Sequence, residues 1–543
     1  MPVRLVAERV YLYDSTLRDG AQTQGVDFTV ADKIAIATAL DQLGIDYVEG
    51  GWPGANPTDD AFFAGAPRLA RARFTAFGMT RRPGRSASND PGLAALLNSN
   101  APALCLVGKA WDFHVDIALG IPRGENVEMI GESIAYAVQR GREALFDAEH
   151  FFDGYKANPS YALDCLKAAH QAGARWIVLC DTNGGTLPHD IERIVGAVTE
   201  YIPGDHLGIH CHNDTENAVA NSLAAVQAGA RQIQGTLNGL GERCGNANLV
   251  ALLPSLMLKL GYDTGVTEDR LTQLTHVSRL VDERLNRTPH RHAAYVGEAA
   301  FAHKGGLHVS AVEKDPRTYE HVPPETVGNH RHVVVSDQSG RANILSRFKE
   351  IGLELPADSK RVGELVELVK AREFEGYAYD GAEASFELLA RRLIEDVPEY
   401  FRVQSFRVID ERRWNARGAL VTLSEATIRV EVDGEMLMTV AEGNGPVNAL
   451  DTALRKALTP AYPVLEELQL VDYKVRILTP NEGTKAVTRV MIESRDAADA
   501  RWSTVGVSAN VIDASFNALH DAICYRLYRA SVARTARNPT LPA

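Results

Sequence analysis

Over the first 270 or so residues the chain repeats one pattern: a short apolar run, then a longer segment whose apolar positions recur every three or four residues. The short runs are VYLYD (10–14), YVEG (47–50), FTAFG (74–78), ALCLV (103–107), ALFDAE (144–149), WIVLCD (176–181), LGIHCH (207–212) and QIQGTLNG (232–239). Runs of this length predict buried strands. The segments between them, such as TVADKIAIATALDQLG and ENAVANSLAAVQAGA, predict amphipathic helices closed by glycine. Eight β-then-α units predict an α/β fold, a (β/α)8 TIM barrel over residues 1–275. A doubly wound sheet alternates in the same way, but no GxGxxG follows the first strand and the units are evenly spaced.

The period then changes. Residues 276–403 mix Pro- and His-rich loops with helices such as RVGELVELVKAREFEG, a linker region of small subdomains. Residues 404–543 predict an α+β C-terminal domain: a hairpin turning at Asp433-Gly434, the helix PVNALDTALRKAL, further strands and a last helix. NALDTAL (448–454) and DASFNAL (513–519) align at a 65-residue offset, so two related halves are expected, forming a regulatory or dimerisation domain.

Composition narrows the function. A net charge of −13 argues against nucleic acid and anionic membrane as partners, since both require clustered Lys and Arg. No apolar run is long enough to span a bilayer. Six scattered cysteines without a CxxC, and an N-terminus without a signal-peptide pattern, predict reduced thiols and a cytoplasmic location.

Barrel enzymes carry their chemistry at the C-terminal strand ends. Polar residues gather there: Asp14, Arg18 and Asp19 after the first strand, Glu49 on the second and Glu149 on the fifth. Asp181-Thr182-Asn183 follow the sixth, His210 and His212 lie on the seventh, and NGLGERCGNAN follows the eighth. Residues i and i+2 of a strand share a face, about 7 Å apart, so His210 and His212 reach one metal ion. Strands 1, 7 and 8 are neighbours in a closed barrel, which adds Asp19 and Asn246. This mixed N/O set suits Mn²⁺, Zn²⁺ or Mg²⁺, with positions left for substrate. The pairs His290/His292 and His330/His332 have no such company and read as exposed or structural.

Arg18 beside that metal is suited to a carboxylate or enolate oxygen; its alternative is an ion pair with Glu49 or Asp14. Gln22 has two equal readings, a hydrogen bond to the same oxygens or to the loop backbone. Glu149 is a candidate general base, or a residue that orients one, and Thr182 a candidate carboxylate contact. Gly184 and Gly185 read as turn formers, and Asp181 as either turn or site. His308, in FAHKGGLH outside the barrel, reads from spacing alone as a loop histidine without a role.

Together YDSTLRDGAQ, HCHND, GLGERCGNANL and HKGGLH resemble the Claisen-condensing acyl transferases of the isopropylmalate, homocitrate and citramalate synthase group. The resemblance runs from Val10 to about Tyr528, and STVGVSANVIDASFNAL is similar to the group's regulatory domain. EGGWPGANPTD, EHFFDGYKANPSYAL and CDTNGGTLP look like the citramalate branch, as does Ala21, where isopropylmalate synthases more usually carry glutamate. The resemblance implies condensation of acetyl-CoA with pyruvate in isoleucine biosynthesis, with 2-oxoisovalerate as the alternative acceptor of an isopropylmalate synthase. It implies a divalent metal on Asp19, His210, His212 and Asn246, Arg18 and Thr182 on the oxo acid, and Glu149 as a catalytic carboxylate. It further implies a homodimer in which His308 and Tyr319 cross between subunits, with isoleucine as effector.

Overall fold

The computed structural model describes residues 7–333, 335, 341–353, 359–394, 397–414 and 416–537. The chain divides into two compact units, Met1–Phe301 with Glu320–Arg331, and Ala302–Tyr319 with His332–Ala543.

The first unit is a closed parallel barrel. Its strands are β1 (Tyr11–Asp14), β2 (Tyr47–Gly51), β3 (Arg73–Met79), β4 (Ala103–Lys109), β5 (Glu143–Glu149), β6 (Trp176–Asp181), β7 (Leu207–Cys211) and β8 (Gln232–Gly235). They pair in chain order, and β8 closes on β1 with Tyr11 opposite Gln232. Alternation along each strand divides the apolar residues between two cores. Leu12, Val48, Leu104, Phe146, Ile177 and Ile209 pack with the helices outside. Tyr13, Tyr47, Phe77, Cys105, Leu145 and Trp176 fill the barrel itself. Sequence signals set the helix ends: Thr29 and Asp32 form a reciprocal capping box, and Gly44 closes the same helix at φ 106°. The expected eighth run is shortened. The strand ends at Gly235 and a 3₁₀ turn, Leu237–Gly239, follows, because Asn238 takes a left-handed φ of 57° that no strand permits.

The second unit opens with the two-residue strand β9 (Ala302–His303), paired with β10 (His332–Val333), and helices including Gly306–Lys314, Lys360–Phe374 and Glu383–Ile394. Two antiparallel sheets follow, β11 (Arg402–Trp414), β12 (Leu420–Val432) and β13 (Glu435–Gly443), then β14 (Gln469–Ile477), β15 (Thr488–Arg495) and β16 (Arg501–Ser508). Each sheet is followed by a helix, starting at Pro446 and at Val511, so the expected two related halves are present. The hairpin turns at Asp433 (φ 51°) and Gly434 (φ 81°), two positive φ values that match the twist of its strands. Among the described residues no helix is long and apolar enough to cross a membrane. All six cysteines are unpaired.

Candidate active site

Asp19 is held after β1 by a tight turn in which the Ser15 carbonyl accepts from the N–H groups of Arg18, Asp19 and Gly20. Asp14 secures that turn: it accepts from the Thr16 N–H (2.9 Å) and hydroxyl (2.8 Å), and the Thr16 hydroxyl oxygen accepts from the Leu237 N–H. Burial pushes the Asp14 carboxyl up to about 7, partly offset by those Thr16 bonds, as suits a structural lock between the loops after β1 and β8.

One donor atom from each of Asp19, His210 and His212 lies within 4.8 Å of the others, and all three residues are buried. His210 Nε2 is 3.3 Å from Asp19 Oδ2 and 3.4 Å from His212 Nε2. Asn246 pairs with His212 through an isolated bridge; its Nδ2 donates to the Leu240 carbonyl (3.0 Å), while its Oδ1 is buried without a partner. His212 Nδ1 is likewise buried and unpartnered. A buried polar atom left unmet costs about 1–3 kcal/mol, and a cation held by Asp19 and the histidine Nε2 atoms would give the Asn246 oxygen a partner. The donor set therefore fits a divalent metal. Burial alone would push the Asp19 carboxyl up, but the Arg18 guanidinium and the His210 hydrogen bond hold it well below the usual range. Burial, then the neighbouring His210, pushes His212 down to about 3, which keeps its ring neutral.

Two glycines shape the loop that presents Asn246. Gly241 (φ 156°) and Gly245 (φ 88°) both need the left-handed region, and a Cβ on Gly245 would lie 1.9 Å from the Gly239 carbonyl oxygen.

Arg18 does form the ion pair of its alternative reading, with Glu49 and not with Asp14: its Nε donates to Glu49 Oε2 at 2.8 Å. Glu49 is fully buried and also accepts from the Tyr13 hydroxyl at 2.6 Å. The pair aims the guanidinium rather than consuming it, since NH1 stands 3.5 Å from Asp19 and the group lies 3.7 Å over the Phe77 ring. A cleft of about 410 Å³ opens beside Arg18, lined also by exposed Gln22, Trp52 and Asn56. A second cavity, about 500 Å³ and largely apolar, shares Trp52 and includes Met79, Lys109, Arg81 and Arg82 in its wall.

Glu149 ends β5 in a cluster of its own, ion-paired with Lys109 and with one oxygen within 4.8 Å of ring nitrogens of His114 and His150. His150 takes a left-handed φ of 54°; its N–H donates to Thr182 Oγ1 (2.8 Å) and its Nδ1 contacts Asp153. With that lone pair used, the Thr182 hydroxyl hydrogen is free to donate elsewhere. Asp181 sits within 3.3 Å of the Thr186 N–H, and Gly184 (φ 62°) leaves no room for a Cβ beside Asp214, so this stretch forms a turn. His308 and Tyr319 belong to the second unit, where both are exposed and their ring centroids lie 4.2 Å apart. Neither His290/His292 nor His330/His332 joins a metal-capable group among the described residues.

The pattern reading passed over Asp147, Gln234 and Tyr13, which look like ordinary strand polarity. Their signal is register: Gln234 stands opposite His210 across β7 and β8, and Asp147 is two residues before Glu149, on the same inward face.

The HMGL-like family matches residues 9–281, a homocitrate synthase post-HMGL domain-like segment residues 295–375, and a LeuA allosteric (dimerisation) domain residues 380–527. The (R)-citramalate synthase of Aquifex aeolicus is 51% identical over 96% of this chain and 99% of its own length. That of Geobacter sulfurreducens is 51% identical over 96% and 98%. A probable 2-isopropylmalate synthase of Methanopyrus kandleri is 31% identical over 94% and 97%. These relatives are matched over nearly their whole length, and the chain belongs to the HMGL-like family, in the group of the (R)-citramalate synthases.

Proposed function

We propose that this protein is an (R)-citramalate synthase, which condenses acetyl-CoA with pyruvate and hydrolyses the thioester to citramalate and CoA. The observation that carries the reading is the convergence of Asp19, His210 and His212 beside Arg18, with Asn246 bridged to His212 and its Oδ1 unpartnered. A divalent cation on those four residues would supply Lewis-acid polarisation of the oxo acid's carbonyl. Arg18, aimed by Glu49, stabilises negative charge as it develops on the keto oxygen. Thr182 donates its free hydroxyl hydrogen to the pyruvate carboxylate. A base takes a proton from the acetyl methyl group: His308, or a water held by Glu149. The methyl carbon then bonds to the keto carbon, the keto oxygen takes up a proton, and water cleaves the thioester to release the thiol. The apolar cavity with Lys109, Arg81 and Arg82 in its wall suits the pantetheine arm and phosphates of acetyl-CoA.

In this reading the chain works as a homodimer through its LeuA domain, His308 and Tyr319 act at the barrel of the other subunit, and isoleucine is the feedback effector. Thiol release from acetyl-CoA against a panel of 2-oxo acids, repeated with isoleucine and with leucine, tests it. Pyruvate should be preferred and isoleucine should inhibit. A preference for 2-oxoisovalerate, or inhibition by leucine alone, would overturn the assignment.

A further inference from the structure

Behind His210 the barrel interior holds a buried relay that the reaction as described does not use. His210 Nδ1 lies 2.8 Å from Gln234 Oε1, and Gln234 Nε2 donates to Asp147 Oδ1 at 3.0 Å. All three residues are buried: Gln234 is fully enclosed and Asp147 is 3% exposed. An amide side chain can be turned either way, so something must decide which end faces the histidine. Asp147 decides it. Burial pushes the Asp147 carboxyl up, while His210, Arg18 and hydrogen bonds from its two donor neighbours, the Cys105 thiol and the Gln234 amide, favour the ionised form, which offers only lone pairs; burial pushes the Cys105 thiol well up, so it keeps its proton. The amide N–H₂ must therefore face Asp147 and the amide oxygen must face His210. An oxygen at 2.8 Å requires a proton on His210 Nδ1, so in the neutral ring the lone pair lies on Nε2. Nε2 is the nitrogen that faces Asp19 and His212.

We propose that Asp147 and Gln234 are a positioning pair: Asp147 fixes the orientation of the Gln234 amide, and the amide fixes the His210 tautomer that can ligate the metal. This rests on the metal reading above. Outer-shell partners of a ligating histidine typically carry 10–100-fold in metal affinity.

The arrangement allows a polarity exchange as its test. In Asp147→Asn the group that decides is gone: the amide of residue 147 can present either end, so Gln234 is free to turn its N–H₂ toward His210, which moves the proton to Nε2. In Gln234→Glu two carboxylates face each other across a hydrogen-bond distance. The double variant Asp147→Asn/Gln234→Glu restores the order, because the carboxylate now at position 234 accepts both from the new amide at position 147 and from His210 Nδ1–H. Mn²⁺ binding to the chelator-stripped full chain is measured by titration calorimetry at fixed pH, alongside the thermal transition of each variant. Each single variant should weaken Mn²⁺ binding 10–100-fold, and the double variant should return to within about threefold of wild type. Single variants that bind as tightly as wild type, or a double variant no better than Asp147→Asn, would overturn the proposal. Should a variant not fold, the ¹⁵N spectrum of histidine-labelled wild type decides: a His210 ring protonated at Nε2 in the neutral form refutes the relay. Wild type that binds no Mn²⁺ refutes the metal reading instead, so the two failures are distinct.

Discussion

Glu49 is the residue whose loss most directly measures how far Arg18 depends on being aimed. Its two carboxylate oxygens each take one donor, the Tyr13 hydroxyl at 2.6 Å and Arg18 Nε at 2.8 Å, in a fully buried setting. Glu49→Gln keeps the shape and both contacts: the amide oxygen accepts from Arg18, and the Tyr13 hydroxyl turns to accept from the amide N–H₂. Only the charge is removed. A hydrogen bond to a charged group contributes about 1.5–3 kcal/mol, so at about 1.4 kcal/mol per decade kcat/KM should fall roughly 10–150-fold. Tyr13→Phe leaves the charge in place and acts on Arg18 only through Glu49, so it should cost no more than about 1.5 kcal/mol, a factor of roughly 10. The assay is thiol release from acetyl-CoA with pyruvate as the varied substrate. Glu49→Gln within twofold of wild type would refute the argument that Glu49 orients Arg18, and a Tyr13→Phe loss larger than that of Glu49→Gln would assign the effect to packing instead.

Three further outcomes follow from the geometry. Asp19→Ala removes a buried carboxylate from the cation set, so both Mn²⁺ binding and CoA release should disappear; wild-type-like turnover of that variant after metal removal would sink the mechanism. Gly245→Ala places a Cβ 1.9 Å from the Gly239 carbonyl at φ 88°, so the loop must shift Asn246, and Mn²⁺ affinity should fall at least tenfold with the barrel's thermal transition little changed. His520, in the last helix, has its pKa pushed up to about 9: burial lowers it, but the Asp521 carboxylate 3.9 Å away and the Cys524 contact outweigh that. Its folded value lies above its unfolded one, so its stabilisation, up to about 3 kcal/mol, is complete below about pH 6.5 and is lost as pH rises through about 9. Calorimetry should find the gap between wild type and His520→Gln shrinking from pH 6 to pH 10; an equal gap at both would contradict this.

The barrel follows from the order of residues alone, because alternation of apolar strands and amphipathic helices has few compact solutions and eight units close on themselves. That order also placed Asp19, His210, His212 and Asn246 at one mouth, since strand period and barrel closure are regular enough to count. Tertiary structure alone decided what each polar group meets. That Arg18 pairs with Glu49 rather than Asp14 depends on which inward side chain is long enough and unoccupied, and Asp14 is taken by Thr16. That Glu149 sits with Lys109, His114 and His150, apart from the Asp19 cluster, depends on a left-handed residue after β5 that no local pattern announces. Asp147 and Gln234 were invisible for the same reason: a polar residue on a strand carries no mark of its partner until neighbouring strands bring His210 within 2.8 Å. Periodicity is a property of the chain, while hydrogen-bond polarity in a closed interior belongs to groups that meet from different strands.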